Sequence, residues 1–176
     1  MVKIKSERLK RWAWVTGWTL LIYSTLYLVR LVSNALKKIL PYSLFINVFL
    51  GIILTGIGGY AWRVINIRRP LSWLLLAAAL GCYIYGIIVI KYPDEKIHFL
   101  QYGILAWLVF NALRYDFSRL VSYLGALLIT FCIGWGDELI QGLLPNRYYD
   151  IKDVWLNGIS GALGLLLVFV REREAD

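Results

Sequence analysis

Two short stretches of the sequence combine side chains that could transfer a proton. In the first, Asp94, His98 and Tyr102 follow one another at intervals of four residues, so a helix would carry all three on one face. In the second, Asp137 and Glu138 are adjacent. A histidine titrates near neutral pH and suits a general base or a nucleophile, and a carboxylate can orient it. The catalytic candidates are therefore His98, Asp94, Glu138 and Asp137.

A third stretch suits the binding of a polar ligand. Arg147 could hold a phosphate or a carboxylate through two parallel N–H groups. Asp150, Asp153 and Asn157 step by three and four residues and would form one stripe along a helix. Gln141 follows the acidic pair of the second stretch by about one helical turn. The predicted substrate-binding residues are Arg147, Gln141, Tyr102, Asp150, Asp153 and Asn157.

The same side chains could instead hold a metal ion. Carboxylates with one imidazole suit a divalent cation such as Mg²⁺ or Mn²⁺. Zinc fits less well, because the chain has a single histidine and its two cysteines lie inside apolar runs. The candidate metal ligands are Asp94, His98, Glu138 and Asp153, and the cofactor is left open.

Each candidate also has a structural alternative. Asp94 follows a proline at a predicted helix start, where an acid is favoured by the helix dipole. Asp150 could cap the next helix, and Asn157 could form a hydrogen bond between helices. Arg147 could simply neutralise the acidic pair, and His98 could be a core histidine.

Long apolar runs surround these polar stretches. The chain of 176 residues is 60% hydrophobic, which exceeds the usual share in a soluble domain. About 20 apolar residues are needed for a helix to cross the hydrocarbon of a bilayer. We therefore predict an all-α, polytopic transmembrane bundle of about six spans, forming a single membrane domain over residues 1–176. The predicted spans are Trp12–Val29, Tyr42–Trp62, Leu71–Ile90, Ile97–Leu113, Leu120–Trp135 and Val154–Val170.

Two further patterns refine this bundle. Apolar residues recur at helical spacing between positions 31 and 40, which predicts a short amphipathic helix lying in the membrane interface. Small residues on the sixth span predict close helix packing near the bundle centre. These small residues are Gly158, Gly161, Ala162 and Gly164.

The distribution of charge predicts an orientation. With the N-terminus in the cytoplasm, 12 of the 19 basic residues fall on the cytoplasmic side, which favours both termini inside. The loops before the fourth span and after the fifth then lie outside, with the candidate residues around them. The net charge of +8 comes from short clusters between apolar runs and not from a basic stripe, which excludes a nucleic-acid binder.

The polar stretches resemble the signature of a known family. The segment from Asp94 to Tyr102, D-E-K-I-H-F-L-Q-Y, resembles the D-K-x-x-H-F-x-x-Y block of the VanZ-like membrane proteins. The segment from Asp137 to Gly164 resembles their second block, which contains D-E-x-x-Q, P-x-R, D-x-x-D and N-x-x-G. The run at residues 143–146 departs from the aromatic residue and Pro-Gly that precede the arginine in the family. The resemblance is strongest over residues 91–170.

The resemblance implies a cell-envelope protein of the bacterial plasma membrane with a link to glycopeptide resistance, especially to teicoplanin. It implies no known reaction, and whether the chain is an enzyme stays open. One hypothesis is an enzyme acting on a lipid-linked or phosphate-bearing amphiphile at the outer leaflet. The alternatives are a non-catalytic lipid- or lipoglycopeptide-binding protein and a small transporter or flippase. The expected partners are membrane lipids and a polyprenyl-phosphate or lipoglycopeptide ligand, and the oligomeric state is open.

Overall fold

Six α-helices make up the described part of the chain, and that part contains no strand. The computed structural model describes residues 2–36, 39, 41–60, 67–145 and 147–175, without the side chains of 2–5, 27–36 and 94. The predicted all-helical bundle is confirmed. The helices are α1 (Val2–Leu36), α2 (Tyr42–Tyr60), α3 (Pro70–Val89), α4 (Pro93–Leu113), α5 (Arg119–Leu143) and α6 (Ile151–Ala175).

Several helices extend beyond the predicted apolar spans. The helix α5 continues past Trp135 to Leu143, so the acidic pair at 137 and 138 lies within its last two turns. The helix α4 begins at Pro93, whose fixed φ suits the first turn of a helix. Polar residues continue these two helices because their side chains find partners inside the bundle, as described below.

The segment predicted as an interfacial helix is only partly described. Residues 31–36 form the last turns of α1 and do not begin a separate helix. Residues 37, 38 and 40 lie outside the described residues, as does Trp62 at the end of the predicted second span.

Four of these helices, α2, α3, α5 and α6, are long and apolar enough to cross a membrane by length and composition. The helix α4 carries six polar residues among its 21, namely Asp94, Glu95, Lys96, His98, Gln101 and Asn111. The helix α4 is the most central, since it packs against all five of the others. Its polar residues are therefore shielded from lipid by the surrounding helices.

The two faces of α5 show what surrounds the bundle. Its outward face exposes large apolar side chains, including Leu120, Leu124 and Leu128. Its inward face carries small and polar residues, and these are buried: Ser122, Ala126, Thr130, Gly134, Asp137, Glu138 and Gln141. A helix in water would show the opposite arrangement. This inversion indicates a lipid environment, so the chain is a membrane protein.

Glycines allow α6 to pack at very short distance against both α4 and α5. A Cβ atom added to Gly164 would overlap the backbone of Gly103. One added to Gly161 would lie 3.0 Å from the side chain of Thr130, and one added to Gly158 would lie 2.9 Å from Phe131. The predicted close packing of the sixth helix thus holds at all three glycines. Ala162 is exposed, so its inclusion in the packing face was wrong.

The helix α1 runs antiparallel to α4. Near its beginning, Arg11 donates a hydrogen bond of 3.0 Å to the backbone carbonyl of Asn111, close to the end of α4. Further along, Trp18 Nε1 donates to the carbonyl of Gln101 at 3.0 Å. The second half of α1 therefore lies beside the beginning of α4, where the candidate residues are found.

Candidate functional site

The candidate residues meet at one end of the bundle. The beginnings of α4 and α6 and the end of α5 bring their polar side chains into a shared interior. Most of these side chains are almost completely buried: Tyr102 and Asp137 at 0% exposure, Glu138 at 1%, Asn157 at 3%, Gln141 at 6% and His98 at 8%. Burial of so many polar groups is costly unless they bind one another or a ligand.

A line of three side chains forms the deepest part of this site. Tyr102 donates its hydroxyl proton to Asp137 Oδ2 at 2.8 Å. The same oxygen lies 3.8 Å from His98 Nδ1. Asn157 and Tyr102 both pack against Gly134, where a larger residue would displace them. The tyrosine thus holds the carboxylate in a fixed position facing the imidazole.

Two atoms in this line have no hydrogen-bond partner among the described residues. They are Nδ1 of His98 and Oδ1 of Asp137, and both are buried. About a tenth of the His98 side chain remains exposed. An unsatisfied buried polar atom costs about 1–3 kcal/mol, so a water molecule or a ligand group that bridges the two atoms would be favoured here.

A second chain of hydrogen bonds connects α5 to the segment before α6. Gln141 Nε2 donates to Glu138 Oε1 at 2.8 Å, and Arg147 donates to Gln141 Oε1 at 2.5 Å. The other oxygen of Glu138 accepts the backbone N–H of Asp150 at 3.3 Å. Glu138 therefore fixes both the amide that orients Arg147 and the backbone from which α6 begins.

Arg147 brings a positive charge to this end of the site. Its guanidinium also reaches the backbone carbonyl of Leu26 in α1 at 3.5 Å. It lies close enough to interact electrostatically with Asp137, Glu138 and Asp153. Arg147 is partly exposed, in contrast with the buried acids. It therefore stands at the border between the buried acids and the surface.

Asp150 and Asp153 have different roles in the structure of the site. Asp150 precedes α6, and its Oδ1 accepts the backbone N–H of Lys152 at 2.8 Å, which is the geometry of a helix N-cap. Asp153 is half-buried one turn further on and interacts electrostatically with Asp137 and Glu138. Asp150 is thus explained by its role at the start of α6, whereas Asp153 adds charge to the site.

The metal hypothesis receives no geometric support from the described residues. Among them, no group of three histidine, cysteine, aspartate or glutamate side chains converges on a point where an ion could bind. The side chain of Asp94 lies outside the described residues, although its backbone belongs to α4.

The roles of several residues in this region were not predicted from the sequence. Tyr23 of α1 donates to the backbone carbonyl of Ile133 at 2.9 Å and interacts electrostatically with Asp137. Lys96 was expected in an outer loop, but it is buried in α4 and donates to Asn47 of α2 at 2.8 Å. A tyrosine in the middle of an apolar span is the signal that could have identified Tyr23. No local sequence pattern indicates that Lys96 of α4 donates a hydrogen bond to Asn47 of α2.

We expect Glu138→Ala to loosen the start of α6. The change removes the acceptor of two N–H groups, which should lower the free energy of unfolding by about 2 kcal/mol. Unfolding in detergent micelles measures this loss, and faster hydrogen exchange of the Asp150 amide would localise it. Lys152→Ala is the control, because only the backbone of Lys152 takes part in the cap. Equal stability of the two variants would contradict this account of Glu138.

These features define a polytopic helical membrane protein with a buried polar site at one end of its bundle. The comparison with known families then specifies it further. The VanZ/LLP1 family model matches residues 15–172, and the chain belongs to this family. The resemblance found in the sequence is thereby confirmed. No curated protein and no solved structure matches the chain.

Proposed function

We propose that this VanZ/LLP1 family member is an envelope enzyme that acts on a lipid-linked or phosphate-bearing amphiphile at the outer leaflet. The observation that carries the proposal is the line formed by Tyr102, Asp137 and His98. A carboxylate held in place beside an imidazole is the arrangement that a general base needs. His98 suits the role of general base because its side chain is nearly buried yet about a tenth of it stays exposed.

In this proposal, His98 takes a proton from a hydroxyl group, either of water or of the substrate. Asp137 lies beside the nitrogen that takes the proton, and its negative charge stabilises the imidazolium after the transfer. Tyr102 prevents the carboxylate from turning away. The reacting hydroxyl would donate its proton to the unpartnered Nδ1 atom of His98, next to the carboxylate of Asp137.

Arg147 would bind the phosphate or carboxylate of the amphiphile. It is partly exposed at the border of the site, and its guanidinium can form two parallel hydrogen bonds to such a group. A polyprenyl phosphate, a phospholipid or a lipoglycopeptide would present this chemistry at a membrane surface. The family's implied link to teicoplanin resistance favours a substrate or ligand of the cell envelope.

The test is complementation of a bacterial strain whose teicoplanin susceptibility depends on this chain. Alanine variants of His98 and Arg147, and Glu138→Gln, which keeps an acceptor oxygen, should lose the protective phenotype while remaining in the membrane at wild-type levels. Asp116→Ala is the control, since Asp116 pairs with Arg8 at the other end of the bundle. The proposal is wrong if all three site variants retain full function.

A non-catalytic binding protein is the second candidate. This candidate is favoured by the hydrogen bond from Arg147 to Gln141, which holds the guanidinium in a position suited to binding a ligand. In that case His98→Gln should be tolerated, whereas Arg147→Ala should weaken binding. Reconstituted protein that binds a polyprenyl phosphate without converting it would favour this candidate over the enzyme.

We further propose that both termini lie in the cytoplasm and that the polar site faces outward. The excess of basic residues at the end opposite the site supports this orientation. At that end Arg8 near the beginning of α1 pairs with Asp116, and Arg119 pairs with Glu172 near the end of α6. Reporter fusions at Asn146 should read as external, and a strong cytoplasmic signal there would reverse the orientation.

A further inference from the structure

A second recess lies on the other side of the α4–α6 crossing from the polar site. It is an apolar groove of about 390 Å³ between α2, α3, α4 and α6. Its volume is in the range of small-molecule pockets. Residues that shape it include Leu76, Tyr83, Ile104, Trp107, Leu167 and Arg171.

The groove is elongated along the helices. It extends from Leu100 to Trp107 on α4 and from Gly164 to Arg171 on α6, which is about 10 Å along each axis at the rise of an α-helix. Gly103 and Gly164 also line it, and because the two helices touch at these glycines, the groove lies beside their contact. An apolar groove that runs along membrane-spanning helices matches the shape of an acyl chain.

The end of the groove that is remote from the polar site carries a cation. Arg171 is exposed there and makes no hydrogen bond or ion pair with the residues that the structure describes. Its neighbours at this end differ: Arg114 and Arg119 both approach Glu172, at 4.0 and 2.9 Å. A positive charge beside an apolar channel is complementary to the phosphate of an anionic lipid.

We propose that the groove binds one acyl chain of an anionic phospholipid, with its phosphate on Arg171. The bound lipid belongs to the leaflet opposite the polar site. It fills the space beside the α4–α6 crossing and so supports the two helices that carry His98 and Asn157. This site is distinct from the polar site and does not depend on the reaction proposed there.

Native mass spectrometry of the full chain in detergent tests the proposal. Phosphatidylglycerol and phosphatidylethanolamine with identical acyl chains serve as probes. The wild-type chain should retain one phosphatidylglycerol at least tenfold more strongly than phosphatidylethanolamine. Arg171→Gln should remove this preference. Ile104→Trp, which fills the groove, should abolish retention of both lipids.

Two matched variants control for unspecific effects. Arg8→Gln removes a cation at the same end that already pairs with Asp116, and Ile88→Trp adds the same bulk on a lipid-facing surface of α3. Both should retain lipid as the wild type does. The proposal is overturned if Arg171→Gln keeps the preference for phosphatidylglycerol, and this result can be read even if Ile104→Trp does not fold.

Discussion

Replacing Gly164 with alanine is expected to destabilise the bundle by about 3 kcal/mol or more, at the upper end of the range for overpacked cores. The added Cβ would overlap the carbonyl oxygen, Cα and carbonyl carbon of Gly103. These are backbone atoms of the central helix, so they cannot rotate aside as a side chain does. The whole α4–α6 contact would have to separate. Thermal unfolding in detergent and the yield of monodisperse protein measure the loss.

Two other glycines provide a graded comparison. Gly81→Ala on α3 should be neutral or slightly stabilising, because a Cβ there meets nothing within 4 Å and alanine favours the helix. Gly103→Ala should cost less than Gly164→Ala, since its nearest obstacle is the hydroxyl end of the Tyr83 side chain. If Gly164→Ala unfolds at the same temperature as Gly81→Ala, the close crossing of the two helices is incorrect.

Under the proposed function, replacing Asp137 with asparagine is expected to reduce turnover by about 10²–10⁴-fold, the contribution that a positioned acid–base pair makes. The shape of the side chain is preserved, and Tyr102 can still donate to the remaining oxygen. What is lost is the negative charge beside His98 Nδ1, which would stabilise the protonated imidazole. The fold should persist, because the hydrogen bond from Tyr102 is kept.

The rate of conversion of a polyprenyl phosphate in proteoliposomes is the measurement. Tyr102→Phe should reduce the rate less, by about tenfold, because it frees the carboxylate without removing its charge. Asp116→Asn makes the same chemical change at the opposite end of the bundle and should leave the rate unchanged. An Asp137→Asn variant with wild-type turnover would remove His98 and Asp137 from the proposed mechanism.

The faces of the helices could be predicted from the sequence because helical spacing is local. Intervals of four residues placed His98 and Tyr102 on one stripe, and the structure brings both to Asp137. The contact partners could not be predicted, because periodicity does not reveal which helices are neighbours. Lys96 illustrates this limit: its burial depends on Asn47, which lies 49 residues earlier in the chain.

The neighbours of α4 could not be predicted either. Its polar residues make it less lipid-like than α2 or α3 and favour a place inside the bundle, but they do not indicate which helices surround it. In the bundle these residues are covered by five other helices. The sequence did not indicate that Gly164 of α6 packs against Gly103 of α4. It indicated only that the glycines of α6 lie on a packing face.

The two ends of the bundle are held by different kinds of contact. At one end, Arg8 with Asp116 and Arg119 with Glu172 are ion pairs with partly exposed side chains. At the other, Glu138, Gln141 and Arg147 are connected by hydrogen bonds that are largely buried. Dissolved salt screens exposed charges over about 10 Å at 0.1 M and affects buried groups much less. Raising the ionic strength should therefore loosen the contacts near the chain termini while leaving the arrangement around His98 intact.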